Sequence, residues 1–83
     1  MPTDLIFSKV AGLIAANANV DPDKITMDSN FADLGMDSLD GLELINDLED
    51  AFKVSIPNEE VLKIKSVRQA VESLQRVVVA VAQ

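Results

Sequence analysis

Ser38-Leu39-Asp40-Gly41-Leu42-Glu43-Leu44-Ile45-Asn46-Asp47-Leu48-Glu49-Asp50-Ala51-Phe52 is the stretch that decides the fold. Gly41, Leu44, Ile45, Leu48 and Phe52 fall on one α-helical face, and Asp40, Glu43, Asp47 and Asp50 lie largely on the other. The pattern predicts a helix from Ser38 to Phe52. Upstream, Ile6, Val10, Leu13 and Ile14 repeat at helical spacing and predict another helix over residues 3–17, with Thr3 or Asp4 able to cap it. Between the two, over residues 18–37, periodicity gives way to Asn19, Asp21, Pro22, Asp23, Asp28, Ser29, Asn30 and Gly35. A long ordered loop is expected there. A connection of that length must be pinned, and Ile25, Met27, Phe31 and Leu34 are the candidates.

Downstream, Ile56 and Pro57 end an extended stretch, and Asn58 is placed to cap a short helix through Ile64. Ser66 begins a further helix, with capping-box spacing to Gln69. Val67, Ala70, Val71, Leu74, Val77, Val78 and Val81 continue its apolar stripe to near the C-terminus. The valine-rich end is read as a longer last helix, with a partner contact as the alternative. No repeat and no strand-pairing pattern competes. The expected fold class is all-α: a small bundle of three main helices plus one short helix, with a long first loop, forming one domain over residues 1–83.

Composition limits what such a bundle can do. At 83 residues the chain buries only about 60–65% of its unfolded surface, too little for a large catalytic cavity. It has neither Cys nor His, which excludes disulfides, a thiolate nucleophile, a Cys/His zinc site and imidazole acid–base chemistry. No enzyme activity of its own is expected. Fourteen acidic residues against seven basic give a net charge of −7, the wrong sign for nucleic acid. No stretch approaches the ~20 apolar residues of a membrane span, and the N-terminus lacks a signal-peptide pattern. A cytoplasmic protein without membrane or nucleic-acid partners is expected.

The charge is segregated. Eight of the fourteen acidic residues lie within residues 25–52, which contain no Lys or Arg. Asp40 with Glu43, Glu43 with Asp47, and Asp47 with Asp50 are like-charge neighbours on the predicted helix, each pair costing about 0.2–0.5 kcal/mol. A solvated face built from mixed charges would avoid that cost. The pattern points to a docking surface for basic proteins, in which complementary potential sets encounter rate and partner choice. A metal reading is weaker. An EF-hand loop started at Asp28 would put Asp33 at the required glycine and Leu39 at the bidentate glutamate. Glu43 and Asp47 are left to share a divalent ion loosely, and no metal site is assigned.

Ser38 stands where the loop meets the acidic helix. By position alone it is an N-cap. A hydroxyl at a helix N-terminus is equally suited to carry a phosphoryl group, since open backbone N–H groups and the helix dipole favour an anion. With no base beside it, it is suited to being modified and not to attacking.

These residues also carry a family resemblance. Phe31-Ala32-Asp33-Leu34-Gly35-Met36-Asp37-Ser38-Leu39-Asp40, followed by Glu43-Leu44, Leu48-Glu49, Phe52 and Ile56-Pro57, resembles an acyl carrier protein of the dissociated (type II) fatty-acid-synthase family, over roughly half the chain. The resemblance implies that Ser38 bears 4'-phosphopantetheine, transferred from coenzyme A by a phosphopantetheinyl transferase. Acyl intermediates would then ride on the cofactor's thiol as thioesters. It further implies that a monomeric carrier presents Asp37, Leu39, Asp40, Glu43, Asp47 and Glu49 to that transferase and to acyl-handling enzymes with basic patches. An aliphatic interior with Phe7, Phe31 and Phe52 and without Trp or Tyr suits a slot for an alkyl chain between helices, or an ordinary small core. The sequence departs from the family at Gly41, where a small hydroxyl residue is common, and at Asn46 and Asp47, where Met and Ala are frequent. Those departures keep open a specialised carrier for polyketide, aminoacyl or other acyl groups. An unmodified acidic helical interaction module is the more distant alternative.

Overall fold

The computed structural model describes the backbone of residues 3–82 and the side chains of residues 3–78. In chain order the helices are α1 (Thr3–Ala18), α2 (Ser38–Phe52), α3 (Asn58–Val61) and α4 (Val67–Ala82). This is the all-α bundle the periodicity predicts, three long helices and one short. α1 is the hub, packed against both α4 and α2. That double contact widens its buried sector: Ile6, Val10 and Ile14 are fully buried, Ala11 and Ala15 are buried beside them, and Leu13 is left half-buried. Thr3 and Asp4 lie within α1 and do not cap it; the Thr3 hydroxyl instead donates to Gln75 Oε1 of α4 at 3.3 Å. Asn19, at φ 57°, turns the chain out of the helix while the Val20 N–H bonds the Ala15 carbonyl at 3.2 Å. Asn is among the residues that tolerate this left-handed closure.

The long loop is more structured than the absence of periodicity suggests. It contains two 3₁₀ turns, Pro22–Lys24 and Ala32–Leu34. Asp21 caps the first by accepting the Asp23 N–H at 2.9 Å, and Gly35, at φ 80°, closes the second. Ile25 and Phe31 are buried and Met27 and Leu34 pack partly buried on the core, so all four expected residues do pin the loop; Met36 joins them. A backbone tie adds to this. The Phe31 N–H bonds the Lys65 carbonyl at 3.1 Å and the Val67 N–H bonds the Ser29 carbonyl at 3.0 Å, an isolated antiparallel bridge between Asn30 and Ser66. The exposed Arg68–Asp28 pair, at 2.8 Å, crosses the same junction; a surface pair of this kind adds about 0–1 kcal/mol.

α4 starts as its sequence predicts, with one change of partner. The Gln69 N–H bonds Ser66 Oγ at 3.2 Å, whereas Gln69 Oε1 accepts the Lys65 N–H at 2.9 Å, one residue earlier than a standard capping box. Val67, Ala70, Val71 and Leu74 are fully buried, and Val77 and Val78 are half-buried; Val81 lies outside the described side chains. The short helix departs further. Pro57 occupies the N-cap position of α3, so Asn58 is its first residue and caps nothing. α3 ends at Val61 and not at Ile64, because Lys63 and Ile64 bond back three residues to Glu60 and Val61, at 3.0 and 3.1 Å. This tighter turn carries Ile64 into the core. Among the described residues no helix is long and apolar enough to cross a membrane.

Candidate functional site

α2 spans the residues its pattern predicts, but its cap is not Ser38. Asp37 has extended backbone, φ −94° and ψ −173°, and its Oδ1 accepts the Asp40 N–H at 2.9 Å. Asp40 Oδ2 in turn accepts the Asp37 N–H at 3.3 Å, so two aspartates close a reciprocal capping box. Ser38 is therefore the first helical residue. Its exposed side chain takes no part in the cap, which leaves the hydroxyl uncommitted. The Ser38 and Leu39 amides precede the capped Asp40 amide and have no intrahelical acceptor.

A groove of about 590 Å³ opens beside Ser38. Leu42 and Ile45 of α2 form one wall, Val61 and Leu62 another, and Phe31, Met36, Ile64 and Lys65 are among the residues that line the rest. Leu42 and Leu62 are 55% and 75% exposed, so apolar surface continues from the groove to its mouth. Gly41 lies on the same wall, one turn beyond Ser38. A Cβ added at Gly41 would meet no atom within 4 Å, so no close backbone approach offsets the roughly 0.5–1 kcal/mol a helical glycine costs.

The acidic residues of α2 divide into committed and free groups. Asp47 is half-buried and accepts Asn17 Nδ2 of α1 at 3.0 Å. Glu49 accepts the Ile56 N–H at 2.8 Å and holds the chain after the helix. Asp37 and Asp40 are bound to one another's backbone. The exposed Glu43 and Asp50, and Leu39, 64% exposed, remain for an outside partner. Among the described residues no group of three or more acidic side chains is placed to hold a metal ion.

Sequence reasoning missed a second polar cluster, which joins α3 to α4 and does not line the groove. Glu60 Oε2 accepts Ser73 Oγ at 2.8 Å and Arg76 Nη2 at 2.7 Å, and Arg76 Nη2 also lies 3.2 Å from Ser73 Oγ. The hydrogen bond from Arg76, then that from Ser73, holds the Glu60 carboxyl below its usual range; the same bond to Glu60 raises Arg76. Ser73 sits at stripe spacing between Ala70 and Val77, which was the available signal.

The small bundle thus leaves a serine hydroxyl free at the head of an acidic helix, at the mouth of a largely apolar groove. Comparisons with known proteins give the family. Residues 8–74 match the family described as "Phosphopantetheine attachment site". The acyl carrier protein of Lactobacillus johnsonii is 43% identical over 76 residues, covering 90% of this chain and 95% of that protein. The acyl carrier protein of Treponema denticola is 44% identical over 73 residues, covering 87% and 94%. The solved structure of the Enterococcus faecalis acyl carrier protein superposes with a TM-score of 0.76 at 31% identity, over 93% of this chain and 99% of that one. The chain belongs to the acyl carrier protein family. It carries acyl groups in fatty acid synthesis on 4'-phosphopantetheine, and carriers of this family are generally non-catalytic.

Proposed function

We propose that Ser38 is the attachment point of the arm and that the adjoining groove shelters the acyl chain. The observation that carries this reading is the Asp37–Asp40 capping box, which caps α2 without Ser38 and leaves its hydroxyl exposed at the groove mouth. The residues fit the group. A phosphodiester on Ser38 would lie against the open first-turn amides and the positive end of the helix dipole. When bound, the arm supplies the thiol that the chain lacks, and the protein supplies placement and shielding. Each methylene buried in the groove contributes about 0.8 kcal/mol before any cost of parting its walls.

Leu39 and Glu43 are the centre of the recognition surface in this reading, offered to a phosphopantetheinyl transferase and to acyl-handling enzymes with basic patches. Asp37 and Asp40 add potential beside Ser38, while Asp47 and Glu49 contribute field with their carboxylates already engaged. The whole chain, residues 1–83, acts as one monomeric carrier domain in the cytoplasm and has no catalytic groups of its own. The test is intact-mass analysis after incubation with coenzyme A, Mg²⁺ and a phosphopantetheinyl transferase of broad specificity. Wild type gains one phosphopantetheine, mapped to Ser38, and folded Ser38→Ala gains none. Modification of Ser38→Ala, or a folded, initially unmodified wild type that stays unmodified, overturns the assignment.

A further inference from the structure

α3 is a groove wall with little to hold it. It spans four residues, has no side-chain cap, and stands outside the close packing of α1 against α2 and α4. Val61 rests partly buried on the core, and Val61 and Leu62 face the groove. Glu60 supplies the polar tie to the bundle. Its Oε2 accepts from both Ser73 and Arg76 of α4. Ser73 is 1% exposed, the one buried polar residue among the described core, and no buried side-chain polar atom lacks a partner. Swinging α3 away from α4 would take Glu60 with it and strip the buried Ser73 hydroxyl of its acceptor, which is costly for a group out of reach of water. The position of this wall is thus set by a contact to α4 whose residues do not line the groove.

We infer that the Glu60–Ser73–Arg76 clasp determines how far α3 stands from α2 and so sets the longest acyl chain the groove shelters. The inference rests on the reading of the groove as the acyl site. In this role the three side chains are positioning residues: they touch α3 and α4, and the acyl chain meets Leu42, Ile45, Val61 and Leu62.

The test is thermal unfolding of the holo protein loaded with saturated acyl groups of graded length, in wild type, in Arg76→Ala and in the double variant Glu60→Ala/Ser73→Ala. In wild type, stabilisation over the unloaded holo form grows with chain length and then levels off. Both variants are expected to shift that plateau to longer chains, whatever their starting melting temperatures. Arg76→Ala changes an exposed residue and keeps the test usable if the double variant folds poorly. Variants that lower every melting temperature alike and keep the plateau at the wild-type chain length overturn the clasp as the determinant. A wild-type series with no dependence on chain length overturns the groove reading itself, and the clasp proposal with it.

Discussion

α2 and α3 face each other across the groove, yet α2 is fifteen residues long, boxed at its N-terminus by Asp37 and Asp40 and rooted in the core by Leu44, Ile45 and Leu48, whereas α3 is four residues long and uncapped by any side chain. The difference separates two duties of a carrier. If Ser38 roots the arm as proposed, its wall must hold one geometry, because a reactive group on a long arm can be delivered only from a fixed root. In the same reading the opposite wall yields to chains of different length, in keeping with its few ties. Local stability is expected to be high in the first and low in the second.

That contrast can be broken by substitution. Leu44→Ala removes a fully buried side chain of α2 and should cost about 2–5 kcal/mol in denaturant unfolding. Val61→Ala on α3, where burial is partial, should cost about 1 kcal/mol. Equal losses at the two sites would show that α3 is as firmly built in as α2. A smaller pair of effects sharpens the same point. Asp37→Ala removes the α2 cap and should cost about 1 kcal/mol by the same measurement. Asn58→Ala, at the head of α3 where no side chain caps the helix, should stay within about 0.5 kcal/mol. A loss at Asn58 as large as that at Asp37 would mean that α3 depends on its first residue in a way the hydrogen bonds do not account for.

Much of the bundle is legible in the sequence because periodic burial is a local code. Leu44, Ile45 and Leu48 announce α2 to its terminal residues, and Val67, Ala70, Val71 and Leu74 announce the buried face of α4. By position alone Ser38 reads as a cap, a role that Asp37 takes instead, because Ser and Asp compete for it one residue apart. The spacing of Asp37 to Asp40 held the answer, with Asp in place of the usual Glu. The bridge between Asn30 and Ser66 is illegible in principle, since it joins backbone groups that every residue possesses. Asp47 and Glu49 look alike as helix-surface charges with Glu43; only the placement of Asn17 and of the Ile56 amide shows that two of the three are already occupied. The boundary of α3 depends on Pro57 and on the turn that buries Ile64, both outcomes of where the chain must go next.

The most direct test of the account is nuclear Overhauser spectroscopy on holo protein bearing an isotopically labelled saturated acyl chain. Contacts from chain methylenes to the methyl groups of Leu42 and Ile45 on one wall and of Val61 and Leu62 on the other are the expected result. A chain that contacts neither wall, with spectra of the loaded and unloaded forms superimposing across α2 and α3, would contradict it.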